Sequence, residues 1–303
     1  MNNRDARRLN LSAGVFSVSV ALVLVLTKLW ALRETGSLSV AATLADSALD
    51  LMMSLGGLAA IAYAAKPADD DHAFGHTSAE DLAALAQSLF IIGSAAVIAT
   101  AATYRLIEGN SPLPRQEEKG IAVILFAITV TMVLVWWQRR VARQTGNKVV
   151  AADSLHYIGD LIPNIGALLA LFVSARFGIG HVDSLVALGT AVFLMLGALR
   201  IGKEAWDGLM DRAAPEEMVK EIEEIAHNFK GVHGYHDLKT RRAGSRVFVN
   251  LHVELDGNQT LTEAHAIGAA LRRAIVTRFP QADVLIHKDP LGEDRHPEDT
   301  RDV

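Results

Sequence analysis

Long apolar runs with few charges dominate the first two thirds of the chain, at approximately residues 9–32, 38–65, 80–106, 119–138, 149–176 and 182–202. Each is near the ~20 residues that a bilayer-spanning helix needs, so the pattern predicts six membrane helices. The first run is too long for the apolar part of a signal peptide and no obvious cleavage site ends it, which predicts a retained helix. Beyond residue 210 the pattern changes. MDRAAPEE breaks the last run, and Pro215 opens an amphipathic helix predicted to reach about Phe229. A short strand follows near 235–242, then a clear one at 246–256, where Val247, Val249, Leu251, Val253 and Leu255 alternate with Phe248, Asn250, His252 and Glu254. Period two marks a half-buried sheet. Thr260 and Glu263 have capping-box spacing and open a helix to about Phe279, and VLIHKD at 284–289 is the last strand. The expected fold is a polytopic α-helical membrane domain at 1–210 and a C-terminal α+β domain at 211–290, of order αββαβ and open-faced sandwich form, with a mobile tail at 291–303.

Composition agrees: half of the 303 residues are hydrophobic and mean hydropathy is +0.24. Basic residues set the expected orientation. Arg4, Arg7 and Arg8 precede the first run, Arg139, Arg140, Arg143 and Lys148 separate the fourth and fifth, and Lys203 and Arg212 follow the sixth, while the alternate loops carry few. The positive-inside rule then puts both termini in the cytoplasm. A net charge of −5 gives no support for nucleic-acid binding. With no cysteine there is no disulfide, thiolate site or iron–sulfur cluster, which leaves His, Asp and Glu as metal ligands. No GxxxxGK[ST] pattern is present, which removes the simplest ATP-driven reading.

Two pairs of metal-capable residues interrupt apolar runs: Asp46 with Asp50, and His156 with Asp160. Each pair is spaced i, i+4, so both members project from one helix face. A charged side chain at mid-bilayer costs roughly 2.5–3.5 kcal/mol on insertion scales, so four such residues imply a function that requires them. Together they can close a tetrahedral shell around Zn²⁺ or a similar ion. A proton relay without metal, or polar residues satisfied by neighbouring helices, fits the same four. Asp153 shares the face and, nearer the cytoplasmic end, reads as a mouth residue. In the loop at 68–81, Asp69, His72 and His76 either bind metal or form a solvated acidic loop ahead of the third helix. In the C-terminal domain His233, His236, His252, His265, His287 and Asp289 form a looser set; His252 is on the polar face of its strand, and His287 and Asp289 share one strand face.

Taken together, these motifs resemble the cation diffusion facilitator family, over nearly the whole chain. The family's transport site falls on Asp46, Asp50, His156 and Asp160, its loop site on Asp69, His72 and His76, and its cytoplasmic binuclear site on His236, His252, His265, His287 and Asp289, with a metallochaperone-like domain. His233 has no counterpart and stays outside the set. The resemblance implies no enzyme but a bacterial inner-membrane homodimer that exports a divalent metal against inward proton flow by alternating access, with Zn²⁺ both transported and structural. A histidine on the fifth helix is associated with zinc and cadmium more than with manganese. Export of Fe²⁺ or Mn²⁺ through the same ligands is the rival within transport, and a membrane-tethered metal sensor the rival outside it. One departure stands out: Ser78 occupies a position where similar bacterial members carry a lysine that pairs with the counterpart of Asp211.

Overall fold

The structure is a computed structural model that describes residues 3–35, 38–108, 118–177 and 182–292. Most of the expected tail, from residue 293 on, lies outside the described residues. The chain divides into two compact units, residues 6–206 and residues 207–303 with the first five.

The first unit is built from α1 (Asn3–Thr35), α2 (Leu38–Ala64), α3 (Ser78–Glu108), α4 (Glu118–Thr145), α5 (Lys148–Phe177) and α6 (Val182–Leu209). All run 27 to 33 residues, about 40–50 Å at 1.5 Å per residue. Among the described residues, Asp5–Ala31, Ser47–Ala64 and Ser78–Ile107 are apolar enough to cross a membrane. α4 outruns its apolar segment because Arg139, Arg140 and Arg143 are good helix formers and cations favour a helix C-terminus. Gly146 then stops it: φ is +68° and its N–H returns to the Ala142 carbonyl at 2.8 Å. The next residue starts α5, with Asn147 Oδ1 accepting the Val150 N–H at 3.0 Å as an N-cap.

α5 is the centre of this unit and packs on α2, α3 and α4. Its Tyr157 and Ile158 join Val20, Leu24, Leu134 and Val135 in one buried cluster, and Leu155 joins Ile91, Leu194 and Ala198 in another. Small residues bring α5 and α6 close: a Cβ on Gly159 would lie 3.0 Å from Leu194, and one on Gly197 would lie 2.8 Å from Leu155. At its start α5 is tied to α3 by Lys148 donating to Asp81 at 2.6 Å and Asn147 to Glu80 at 2.9 Å. Outward positions such as Val97, Ile107 and Leu196 are exposed and apolar, the surface a lipid-embedded bundle presents.

The second unit contains α7 (Glu216–His227), β1 (Gly234–Ala243), β2 (Arg246–Leu255), α8 (Leu261–Arg278) and β3 (Ala282–Pro290). β2 is central, antiparallel to β1 and parallel to β3, as the crossover through α8 requires. Val247, Val249, Leu251, Val253 and Leu255 turn inward against Met218, Ile222, Leu271 and Ile275 of the two helices. Both halves of the capping box form at α8: Thr260 accepts the Glu263 N–H, and Glu263 accepts the Thr260 N–H at 2.8 Å. That bond holds the exposed Glu263 carboxyl below the usual range. Phe248 departs from simple alternation. It is buried on the opposite sheet face, where the Arg241 guanidinium lies 4.3 Å from its ring centroid.

Leu271 is fully buried in this core. Leu271→Ala is expected to destabilise the unit by about 2–5 kcal/mol, seen as at least tenfold faster hydrogen exchange at β2 amides with α1–α6 unaffected.

Candidate metal centre

The spacing of the membrane pairs becomes geometry in the first unit. His156 Nε2 lies 2.9 Å from Asp50 Oδ1 on α2 and 4.0 Å from Asp160 Oδ2 one turn along α5. One ligand atom from each of these three residues lies within 4.8 Å of the others. The third donor comes from the neighbouring helix: α2 supplies Asp50. Asp46 sits one turn before Asp50 on the same helix, and its side chain lies outside the described residues. The donors are one imidazole nitrogen and carboxylate oxygens, a set that suits Zn²⁺ and other borderline divalent ions.

Asp153 is not a mouth residue. It is 7% exposed and holds a polar network across four helices. Ser17 of α1 donates to its Oδ2 at 2.6 Å, as does Gln138 of α4. Ser17 is 2.9 Å from Ser54 of α2, and Ser54 is 2.9 Å from the Tyr157 hydroxyl. Each hydroxyl has one proton to give. Because Ser17 gives its proton to Asp153, Ser54 donates to Ser17 and Tyr157 donates to Ser54. Sequence reasoning missed Ser17, Ser54, Gln138 and Tyr157, since isolated hydroxyls and amides in apolar helices carry no periodic signal.

Between α2 and α3, Asp69 joins both histidines of its loop. Its Oδ1 is 3.2 Å from His72 Nδ1 and its Oδ2 is 3.3 Å from His76 Nε2. The His72 N–H donates to the same carboxylate at 2.7 Å and holds its pKa below the ordinary value, so it is ionised through mildly acidic pH. His76 is buried against Tyr63, whereas Asp69 and His72 are exposed. A shell with two of its three donors in water can exchange metal readily.

The C-terminal unit lines up its histidines by strand register. His236 of β1 pairs with His252 of β2, which pairs with His287 of β3, so the three stand in one row across the sheet. Asp289 closes the row: Oδ2 is 3.0 Å from His252 Nδ1 and 3.5 Å from His236 Nε2, and Oδ1 is 3.1 Å from His287 Nε2. Two oxygens facing different imidazoles allow this carboxylate to bridge two ions. His236, His252 and Asp289 form the tight cluster. His265 is exposed on α8, outside it, and His233 is exposed at the start of β1.

A β-bulge makes the row possible. Between His236↔His252 and Lys239↔Asn250, β1 carries one residue more than β2, and Asp237 takes a left-handed φ of +48°. Without the extra residue His236 and Leu238 would share a face; with it, His236 joins the histidine row while Leu238 enters the core. On the other side Glu254 Oε1 stands 3.3 Å from His236 Nδ1, leaving Nε2 turned to Asp289. Asp211, whose pairing the serine at position 78 puts in question, receives Arg241 Nη1 at 3.0 Å within its own chain.

Comparison with known proteins places this architecture. The family model "Cation efflux transmembrane domain" matches residues 15–210, and "Cation efflux protein, cytoplasmic domain" matches residues 214–291. The chain is 42% identical over 291 residues to the cation-efflux pump FieF of Citrobacter koseri, covering 96% of each chain. It is 43% identical over 292 residues to FieF of Pectobacterium atrosepticum, again covering 96% of each. Among solved structures, the metal-bound C-terminal domain of the CzcD transporter from Thermotoga maritima is 30% identical, covering 26% of this chain and 93% of that one, with a TM-score of 0.25.

The row in the C-terminal unit makes a direct comparison available. Asp289→Ala, which removes the carboxylate shared by three imidazoles, is expected to lower the zinc retained per chain in equilibrium dialysis more than His265→Ala does. Equal losses would instead place His265 in the site.

Proposed function

The chain belongs to the cation efflux, or cation diffusion facilitator, family, and we propose that it is a secondary transporter exporting a divalent metal, Zn²⁺ foremost and Cd²⁺ by the same chemistry, in exchange for protons. The observation that carries this reading is the convergence of Asp50, His156 and Asp160 from two apolar helices. With Asp46, they form the proposed transport site. The matched relatives are named as cation-efflux pumps and cover 96% of the chain, which supports export over a tethered sensor. Such a sensor would have no use for charged ligands inside the bundle.

Exchange follows from competition for the same atoms. Metal binding needs a neutral imidazole and ionised carboxylates, so metal arrival displaces protons and protonation displaces metal. Loading occurs from the cytoplasm, α2 and α5 reorient, and protons arriving from outside release the ion. Export of one divalent ion for one proton moves net positive charge outward and is opposed by ~2.3 kcal/mol per charge per 100 mV, whereas two protons make the step electroneutral. His156 selects for zinc over harder ions, since imidazole suits zinc and an all-oxygen shell suits manganese.

The protein acts as a homodimer in the bacterial inner membrane with both termini cytoplasmic. Asp69, His72 and His76 form a loop metal site, and His236, His252, His287 and Asp289 a structural zinc site that joins cytoplasmic domains. The lipid bilayer and a second copy of the chain are the partners of the bundle.

Metal flux into proteoliposomes under a pH gradient tests the transport site. Asp50→Ala is expected to lose at least tenfold of wild-type Zn²⁺ flux; undiminished flux sinks the assignment, and a series over Zn²⁺, Cd²⁺, Fe²⁺ and Mn²⁺ settles the ion. For the cytoplasmic row, the double variant His252→Ala with His287→Ala is expected to weaken dimerisation or apparent metal affinity while retaining some transport. Complete loss of flux in a folded dimer would place the row on the transport path.

A further inference from the structure

Asp153 is charge-bearing and buried, and the metal site does not use it. Two donors reach it, Ser17 and Gln138, both neutral and both bound to Oδ2. Its Oδ1 is buried without a hydrogen-bond partner. An ionised carboxylate with one oxygen unsolvated is costly in an apolar interior, and a proton on that oxygen removes the charge. Oδ1 has somewhere to receive it: Asp153 lines a cavity of about 10 Å³ together with Ser54, Gly57, Gln138 and Val150, the space that one water needs.

We propose that Asp153 is a proton-binding site separate from the metal ligands, taking up a proton on Oδ1 as metal leaves Asp50, His156 and Asp160 and giving it up as metal arrives. The inference rests on the antiport reading and adds a second proton carrier to it. Among the described residues, the charged and titratable groups that face Asp153 are His156 and Tyr157 on α5 and Asp50 on α2; α1 and α4 present the neutral Ser17 and Gln138. It lies three residues before His156, ~4.5 Å along the helix axis. A divalent ion there favours the ionised form of Asp153. An empty site leaves carboxylates instead and favours the protonated form. The hydroxyl chain from Tyr157 through Ser54 and Ser17 holds Oδ2 in either state, so the proton comes and goes on Oδ1 without dismantling the network. No metal ligand has to move for this carrier to fill.

The full chain in lipid nanodiscs, metal-free and Zn²⁺-loaded, provides the test. Infrared difference spectra of the wild type are expected to show loss of a protonated-carboxyl C=O band on zinc loading. Asp153→Asn should lack that band and release about one proton fewer per zinc bound, read with a pH dye in weak buffer. Asp153→Glu should restore the band at a shifted frequency, and Gln138→Leu should shift the wild-type band by removing a donor to Oδ2. No wild-type band, or a band and proton count unchanged in Asp153→Asn, overturns the proposal. Metal-driven proton flux measured in parallel separates the two readings: flux absent with the band present overturns antiport, and flux present with the band absent overturns the role of Asp153.

Discussion

The contact between Asp50 of α2 and His156 of α5, 2.9 Å apart, is the constraint around which the membrane unit is organised. In an apolar bundle a charged or polar group is tolerated only where another element answers it. Asp50 and His156 answer each other, and with the Ser54–Tyr157 bond one turn along they set the facing of the two helices. Apolar packing tolerates many rotations of similar area; a hydrogen bond to an imidazole nitrogen tolerates one. The rest of α5 follows that choice, with Tyr157 and Ile158 turned into the cluster with α1 and α4 and Gly159 turned to Leu194 of α6.

Asp153, one turn earlier, extends the same logic to α1 and α4. Its two donors come from helices that supply no ligand to the candidate cluster among the described residues, so this carboxylate links the helix of His156 and Asp160 to α1 and α4 by hydrogen bonds. A change of charge state or position at α5 is therefore felt by α1, α2 and α4 through named hydrogen bonds. Farther along, Lys148 with Asp81 and Asn147 with Glu80 pin the start of α5 to α3. The helix carrying His156 and Asp160 is held at its start by charge and in its middle by polar bonds.

Much of this was legible in the sequence, for reasons particular to each element. Helix period alone put Asp46 with Asp50 and His156 with Asp160 on shared faces, and strand period put His252 on the face opposite Val249 and Leu251. The capping-box spacing of Thr260 and Glu263 is local chemistry, and it formed as written. What stayed hidden was long-range or irregular. Asp153 was read as a mouth residue because its surroundings are Ser17 and Gln138, 136 and 15 residues away. The extra residue at Asp237 breaks period two, so nothing in alternation could show that His236 and Leu238 part company. Phe248 sits at a polar position of the pattern and is buried by Arg241, a cross-strand neighbour known only once register is fixed.

The three clusters share one design, a carboxylate held among imidazoles or an imidazole among carboxylates, but they differ in charge. The row on the sheet has three imidazoles to one carboxylate and runs from the buried His236 to the exposed His287. In the bundle the proposed set has one imidazole and three carboxylates, so a dipositive ion leaves one negative charge uncompensated by ligands. Lys28 of α1 donates to Ser47 of α2 at 2.6 Å, a further polar tie between helices of the bundle.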